Sequence, residues 1–231
     1  MSNSRLERFA AATGLIFVVM GLAYIFLSPS MDPLAPAVEV ASVYTKNSAG
    51  ALLWNFVGTL AFFFFLFFLG ALYNVLRQAE GGTGWLSLIA FGSGLGILAI
   101  HSVETLSAYT LAWHVAQPGD LAVVQTLFDL QNLAVYFWAI PVAGMLTATS
   151  IITLRTGIFP KWLGWAGLLI ALGWLVDSAG IVTPQQGLLS LIGGLIGIVG
   201  TELICIPATS LLLIRSTKET SQMSLGEVSV S

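Results

Sequence analysis

The chain has 231 residues, of which 57% are hydrophobic and 8% are charged, and its formal net charge is −3. Because soluble domains carry about 25% charged residues, this composition excludes an ordinary soluble protein and indicates an integral membrane protein. Its eight Lys and Arg residues form no cluster, so there is no electrostatic reason to expect a nucleic-acid partner.

Apolar segments recur along the chain at roughly the 20-residue length that a transmembrane helix needs. Six spans are predicted, over residues 9–27, 49–76, 85–115, 121–154, 162–176 and 187–214. Between the first two, the apolar stretch 38–44 predicts a small interfacial helix. The fold class is therefore all-α, a polytopic six-helix transmembrane bundle of residues 1–215, and the Ser-rich cytoplasmic tail 216–231 is expected to be disordered.

Local sequence predicts how the spans are joined and shaped. The glycine-containing stretch 77–84 predicts a tight turn between the second and third spans, and 117–120 predicts the turn between the third and fourth. Asp120 is expected to cap the fourth span, because aspartate accepts a hydrogen bond from a free helical N–H. Pro141 and Pro207 lie inside spans four and six, and each is expected to bend its helix because it lacks a backbone N–H.

The distribution of basic residues predicts the orientation. Seven of the eight Lys and Arg residues lie at the two termini and in the second and fourth connections, and Lys46 alone lies on the other side. By the positive-inside rule, both termini are expected in the cytoplasm.

Ionisable groups within apolar sequence define the candidate site. Each costs about 2.5–3.5 kcal/mol at membrane depth on insertion scales, so such residues are expected to be functional. His101 and Glu104 share one face of span three, and Asp129, Asn132 and Tyr136 share one face of span four. Since the two spans form a hairpin, these faces are expected to meet near the outer surface.

Two further carboxyls extend this set. Asp177 closes span five at a similar level, and Glu202 lies deeper, in span six. Together the polar groups predict an outward-facing ligand-binding pocket between spans three to six, formed by His101, Glu104, Asp129, Asn132, Tyr136, Asp177 and Glu202. An alternative interpretation is a hydrogen-bond network that only fixes helix register, at about 0.6 kcal/mol per interaction.

No metal or cofactor is expected. His101, Glu104 and Asp129 lack a second histidine at helical spacing, and the sequence contains no HExxH motif and no cysteine pair. No lysine lies in a span, which excludes a retinal Schiff base, and no glycine-rich phosphate loop is present.

Short motifs in the second half carry a family resemblance. They are Phe159-Pro160-Lys161-Trp162-Leu163-Gly164, Asp177-Ser178, and Gly200-x-Glu202-Leu203 running to Leu211-Leu212-Leu213, with Arg8, Gly14 and Tyr24 near the N-terminus. With these motifs the chain resembles the bacterial membrane proteins grouped as domain of unknown function 4386. The resemblance implies a six-span, multi-pass protein of the bacterial inner membrane with cytoplasmic termini, and it implies no activity. It also implies that Asp177 and Glu202 belong to the family pattern, whereas His101 and Glu104 are particular to this chain.

Three functional hypotheses follow. The leading one is a membrane protein, surrounded by lipid, that holds an apolar or amphipathic small molecule or a partner helix in the pocket. The second is an intramembrane enzyme of cyclase or isomerase type that acts on an isoprenoid or lipid-like substrate with Glu104 and Asp129 as catalytic acid and base. The third is an accessory subunit of a larger membrane complex, in which a membrane-protein partner covers the Phe-rich face of span two.

Overall fold

The structure is a computed structural model that describes residues 3–28, 31–115, 120–182 and 188–215. The tail 216–231 and most of the turn 117–120 lie outside the described residues. The α-helices in the described ranges are α1 Asn3–Leu27, α2 Ala37–Lys46, α3 Ser48–Glu80, α4 Trp85–Thr110, α5 Leu121–Thr156, α6 Lys161–Ser178 and α7 Leu188–Val199. A π-helical segment, Gly200–Cys205, continues α7 into a further helical stretch, so that Leu191–Arg215 forms one long helix, here called the C-terminal helix.

Within the described ranges, five helices are long and apolar enough to cross a membrane. They are Leu6–Leu27, Ser48–Glu80, Trp85–Trp113, Leu121–Thr156 and Leu191–Arg215. The all-α, multi-pass membrane architecture expected from the sequence is thereby confirmed. Helix α6 has 18 residues and is not among the five, because Lys161 and Asp177 at its two ends lower its hydropathy.

The helices pack in chain order. Helix α1 packs on α3, α4 on α5, α5 on α6, and α6 on the C-terminal helix. A large apolar core runs through the bundle, and a second, smaller core lies where α2 covers the ends of α3, α4 and α5. This smaller core contains Val40 and Tyr44 of α2 with Trp54, Leu111 and Phe128. The small helix expected between the first two spans is therefore present as α2.

Helix ends are fixed by local chemistry. At the start of α5, Asp120 Oδ1 accepts a hydrogen bond from Ala122 N at 2.9 Å, as expected for an N-cap. Between α3 and α4, Gly81, Gly82 and Gly84 have φ values of 63°, 49° and 66°, a region that favours glycine. The Glu80 carboxylate accepts hydrogen bonds from two free N–H groups at the start of α4. The predicted tight turn is thus built from glycines and a carboxylate cap.

The two in-span prolines differ in their surroundings. Helix α5 stays α-helical through Pro141. Ahead of Pro207 the C-terminal helix widens, and Ile206 N donates to Thr201 O, five residues back. A proline ring clashes with the carbonyl four residues earlier, and a π-helical turn moves that carbonyl away. The bends expected at both positions stay predictions.

Glycines allow α6 and the C-terminal helix to approach closely. A Cβ atom on Gly193 would lie 2.7 Å from the carbonyl oxygen of Gly173, and one on Gly197 would lie 2.7 Å from Cδ2 of Trp174. Small residues let membrane helices gain van der Waals contact. This contact therefore depends on the absence of side chains at these positions.

Gly197→Ala is expected to lower the melting temperature, because overpacking costs about 1–3 kcal/mol. Gly70→Ala is the matched control: Gly70 is also helical, and nothing lies within 4 Å of the position that an added Cβ would take. In the control, the helix propensity of alanine, about 1 kcal/mol better than that of glycine, acts without a clash. Thermal unfolding of both variants in the same detergent measures the difference. Equal melting temperatures would contradict the packing argument.

Candidate functional site

A histidine and a glutamate on α4 form a buried pair. His101 Nδ1 lies 3.2 Å from Glu104 Oε2, one helical turn along, and the two residues are only 7% and 8% exposed. The other ring nitrogen, Nε2, is hydrogen-bonded with the Thr105 hydroxyl at 3.1 Å. With Glu104 ionised, Nδ1 must carry the hydrogen, because a carboxylate only accepts. The ring orientation is thus fixed from within its own helix.

Aromatic rings surround the imidazole and extend across the bundle. The face of Phe62, from α3, stacks on His101 with a centroid distance of 3.7 Å and an interplanar angle of 21°. Trp138 of α5 follows at 6.5 Å from His101, and Trp174 of α6 meets Trp138 edge-on at 5.9 Å. Trp174 Nε1 then donates to Thr201 Oγ1 at 2.9 Å. These contacts connect α3, α4, α5, α6 and the C-terminal helix in one continuous row.

A groove lies between α3 and α4 with His101 in its wall. Its volume is about 390 Å³, and it opens to the side of the bundle, since Phe63 and Leu106 on its edges are 53% and 67% exposed. The described residues that line it include no Lys, Arg, Asp or Glu; they are Thr59, Phe62, Phe63, Leu66, Leu98, His101, Ser102, Thr105, Leu106 and Tyr109. The groove therefore combines an apolar surface with an imidazole and hydroxyl groups.

Two other spaces between the helices differ from this groove in the residues that line them. A groove between α4 and α5, also of about 390 Å³, is lined by apolar residues and Thr147. A partly open space of about 30 Å³ lies near Thr149, Ser150 and Cys205, which is enough for about one water molecule. Of the three, only the groove between α3 and α4 has an ionisable side chain in its wall apart from a thiol.

Helix α2 covers the end of the bundle beside Glu104. The Tyr44 hydroxyl of α2 donates to Gln131 Oε1 of α5 at 3.3 Å, and Asn132 Nδ2 donates to the Pro33 carbonyl at 3.4 Å. Burial raises the pKa of Tyr44 to about 12; the hydrogen bond with Gln131 opposes this change, and the nearby Glu104 charge adds to it. Asn132 therefore holds the covering segment, and the groove at His101 opens sideways rather than through this end.

The remaining predicted site residues lie apart from the groove. Asp129 is exposed, and its Oδ1 accepts from Gln125 Nε2 at 2.8 Å. Tyr136 is partly exposed on α5. Neither lines the groove, so the face of α4 that carries His101 meets α3 instead of the Asp129 face of α5. His101 instead stacks on Phe62 of α3.

The two carboxyls of the second half occupy separate places. Asp177 is 8% exposed and packs against the C-terminal helix, where a Cβ on Gly194 would lie 2.8 Å from its Oδ1. Glu202 Oε2 is enclosed and has no hydrogen-bond partner among the described residues. No group of three His, Cys, Asp or Glu residues suited to a metal ion occurs in the part of the chain that the structure describes.

The aromatic part of the site was not predicted from the sequence. Phe62, Trp138 and Trp174 contact or extend the His101 cluster, and Tyr44 and Gln131 close its end. Trp138, in the interior of the fourth predicted span, is the available signal, because tryptophan is enriched at membrane interfaces. Trp174 lies two residues from the end of the fifth predicted span and gives no such signal.

Comparison with known proteins identifies a family for most of the chain. The family model described as Domain of unknown function (DUF4386) matches residues 12–212. The chain therefore belongs to this family, in agreement with the resemblance of its motifs. No curated protein and no solved structure gives a significant match.

Tyr44→Phe is expected to lower stability at neutral pH by about 0.5–1.5 kcal/mol, because the hydrogen bond to Gln131 is lost. The variant should also lack the loss of folding stability that Tyr44 causes in the wild type at alkaline pH. The folded protein holds the Tyr44 proton up to about pH 12, whereas an unfolded tyrosine loses it near pH 10, so wild-type stability falls with rising pH between these values.

The control for this variant is Tyr73→Phe, because the Tyr73 ring packs against Phe91 and its hydroxyl has no hydrogen bond among the described residues. Chemical unfolding at pH 7 and at a series of alkaline pH values provides the measurement. If Tyr44→Phe and wild type lost stability in parallel above pH 10, the burial of the Tyr44 hydroxyl would be contradicted.

Proposed function

We propose that this member of the DUF4386 family binds a neutral amphipathic molecule, with a hydrocarbon part and a hydroxyl head, in the lateral groove between α3 and α4. One observation carries the proposal: the His101 imidazole stands in the wall of an otherwise apolar groove, beside the hydroxyl groups of Ser102 and Thr105. Ligand sites of this kind combine an apolar lining with a few polar groups that orient the ligand.

The architecture that goes with this proposal is a six-span bundle in the bacterial inner membrane with both termini in the cytoplasm. Helix α6 supports the sixth span, because its 18 residues reach about 27 Å at 1.5 Å per residue and lie between α5 and the C-terminal helix. The bias of seven basic residues against one supports the orientation. In this orientation His101 lies in the outer half of the membrane.

The charge of the groove supports a neutral ligand. The described lining contains no Lys or Arg, and Glu104 beside His101 balances any charge on the imidazole. A phosphate group would therefore have no cation to compensate for its loss of hydration. A hydroxyl group needs only a hydrogen-bond acceptor, and the Ser102 and Thr105 hydroxyl oxygens supply one, since their own hydrogens bond Leu98 O and His101 Nε2.

The size of the groove supports a head group with the first part of a chain. Its volume of about 390 Å³ lies at the lower end of the range of about 300–1,000 Å³ for small-molecule sites. Because the groove opens sideways, the rest of a longer chain remains among the lipids. A neutral isoprenoid or fatty alcohol has this shape.

Ser102→Trp is expected to fill the groove and to reduce photolabelling by a diazirine-bearing isoprenoid alcohol at least about tenfold, which corresponds to about 1.4 kcal/mol of binding free energy. Thr147→Trp is the matched control, since it places the same bulk in the groove of equal volume between α4 and α5. Mass spectrometry of labelled peptides locates and quantifies the cross-link. Equal loss in both variants, or label in wild type away from α3 and α4, would refute the proposal.

A second candidate function rests on the His101–Glu104 pair. A carboxyl within hydrogen-bond distance of an imidazole, as here at 3.2 Å, can exchange a proton with the ring, and His101, which lines the groove whereas Glu104 does not, would pass that proton to a ligand. Under this alternative the protein is an isomerase or cyclase acting on an isoprenoid or lipid-like substrate. Asp129 is exposed and bonded to Gln125, so we assign the catalytic role to Glu104 and His101.

Glu104→Gln distinguishes the two candidates. If Glu104 transfers a proton, turnover of an isoprenoid substrate falls by about 10²- to 10⁴-fold, while photolabelling persists because the amide keeps the shape of the side chain. Asp129→Asn, at an exposed site, serves as the control. A product profile that is the same in Glu104→Gln as in wild type would eliminate the enzymatic alternative and leave binding intact.

A further inference from the structure

Glu202 lies at the middle of the C-terminal helix. The helix spans Leu191–Arg215, which puts Glu202 about 17 Å from one end and about 20 Å from the other at 1.5 Å per residue. It falls within the π-helical segment Gly200–Cys205, and π-helical turns are rare and frequent at functional sites. The residue is therefore distant from both ends of this long apolar helix and belongs to an irregular part of it.

One oxygen of this carboxyl is enclosed. Glu202 Oε2 has almost no accessible surface and no hydrogen-bond partner among the described residues, although the residue as a whole is partly exposed. Helix α1 closes over it at Gly21, where a Cβ would lie 3.6 Å from Oε2. An unpaired charge in such a place is far more costly than an unpaired neutral group.

No charged group among the described residues is hydrogen-bonded to Glu202 Oε2. The elements packed against the π-helical segment are α1, α6 and the two flanking parts of the C-terminal helix. The titratable side chains described on these elements are Glu7, Arg8, Tyr24, Lys161, Asp177, Cys205 and Arg215. None of them is a hydrogen-bond partner of Oε2. A carboxylate there would be an isolated negative charge.

We propose that Glu202 is a proton-binding site in the membrane interior, with Oε2 as the oxygen that takes up the proton. The reaction is the reversible addition of one H⁺ to the carboxylate, which forms a neutral carboxylic acid. Loss of the proton leaves a charge on a carboxyl whose Oε2 has no hydrogen-bond partner among the described residues, so water or a cation would have to approach Oε2 where α1 lies against it at Gly21. The site would therefore link proton uptake to the packing of α1 on the C-terminal helix. This inference is independent of the groove at His101.

Infrared spectroscopy of the full chain in lipid nanodiscs tests the proposal. At pH 7 the wild type should show a carboxylic-acid C=O band that shifts in D₂O, disappears in Glu202→Gln and persists in the control Glu104→Gln. Raising the pH should convert the wild-type band into carboxylate absorption. A band that survives in Glu202→Gln, or the absence of the band in wild type at pH 7, would overturn the proposal. A band that appears at pH 7 only after removal of Na⁺ would also overturn it, because the occupant would then be a cation.

Gly21→Ser provides a test that keeps Glu202 in place. The new hydroxyl can reach Oε2, because the Cβ position is 3.6 Å away, and a hydrogen bond to the carboxyl should lower the C=O frequency. Gly21→Ala is the matched control, since it adds the Cβ at an ordinary contact distance without the hydroxyl. A band at the same frequency in both variants would show that the protonated group is elsewhere.

Discussion

A polar side chain inside a bilayer has no water to bond, so its partner must come from the protein itself. Most polar groups in these spans find that partner within their own helix. Asn55 Nδ2 donates to Ala51 O, Thr59 Oγ1 to Asn55 O, and Ser107 Oγ to Val103 O. The His101–Glu104 pair follows the same rule, one turn apart on α4. Because α4 satisfies its own polar groups, they need no hydrogen bond from a neighbouring helix and can remain in the wall of a groove.

Hydrogen bonding within each helix also bears on which neighbour the polar face of α4 contacts. Hydrogen bonds to α5 were the expected reason for His101 and Glu104 to meet Asp129, but Asp129 bonds to Gln125 on its own helix. The remaining preference is between ring surfaces, and Phe62 stacks on the imidazole at 3.7 Å. The contact that His101 makes outside its own helix is therefore between rings, while Asp129 bonds within α5.

The sequence predicts the positions of helices better than their rotations. The fourth span, predicted at 121–154, is Leu121–Thr156 in the structure, and the interfacial helix predicted at 38–44 is Ala37–Lys46. Chain length, glycine turns and the Asp120 cap determine such boundaries. The rotation of a helix about its axis can be predicted only if one face differs in polarity from the others. Helix α4 is apolar nearly all round except for its few polar groups. Its spacing places His101 and Glu104 on one face, but cannot identify Phe62 as the neighbour. The π-helical turn before Pro207 is also not predictable from the sequence, because a proline indicates a disturbed helix without specifying the form of the disturbance.

The lateral opening of the groove determines what kind of selectivity the site can have. A hydrocarbon chain that moves from the bilayer into the groove exchanges lipid tails for Phe63, Leu66 and Leu106, and this exchange brings no hydrophobic gain, because lipid tails are as apolar as leucine. Discrimination must then come from the head group and from shape. Hydrogen bonds between groups in membranes contribute only about 0.6 kcal/mol on average, so one bond to Ser102 or Thr105 selects weakly. Glu104 and Phe62 fix the orientation of the imidazole ring. Because no entropy is lost in arranging the ring when a ligand binds, several weak bonds can act together on a single head group. Such a groove suits a neutral ligand that is abundant in the bilayer. A ligand of this kind has to be recognised among the lipids, but does not have to be captured from water.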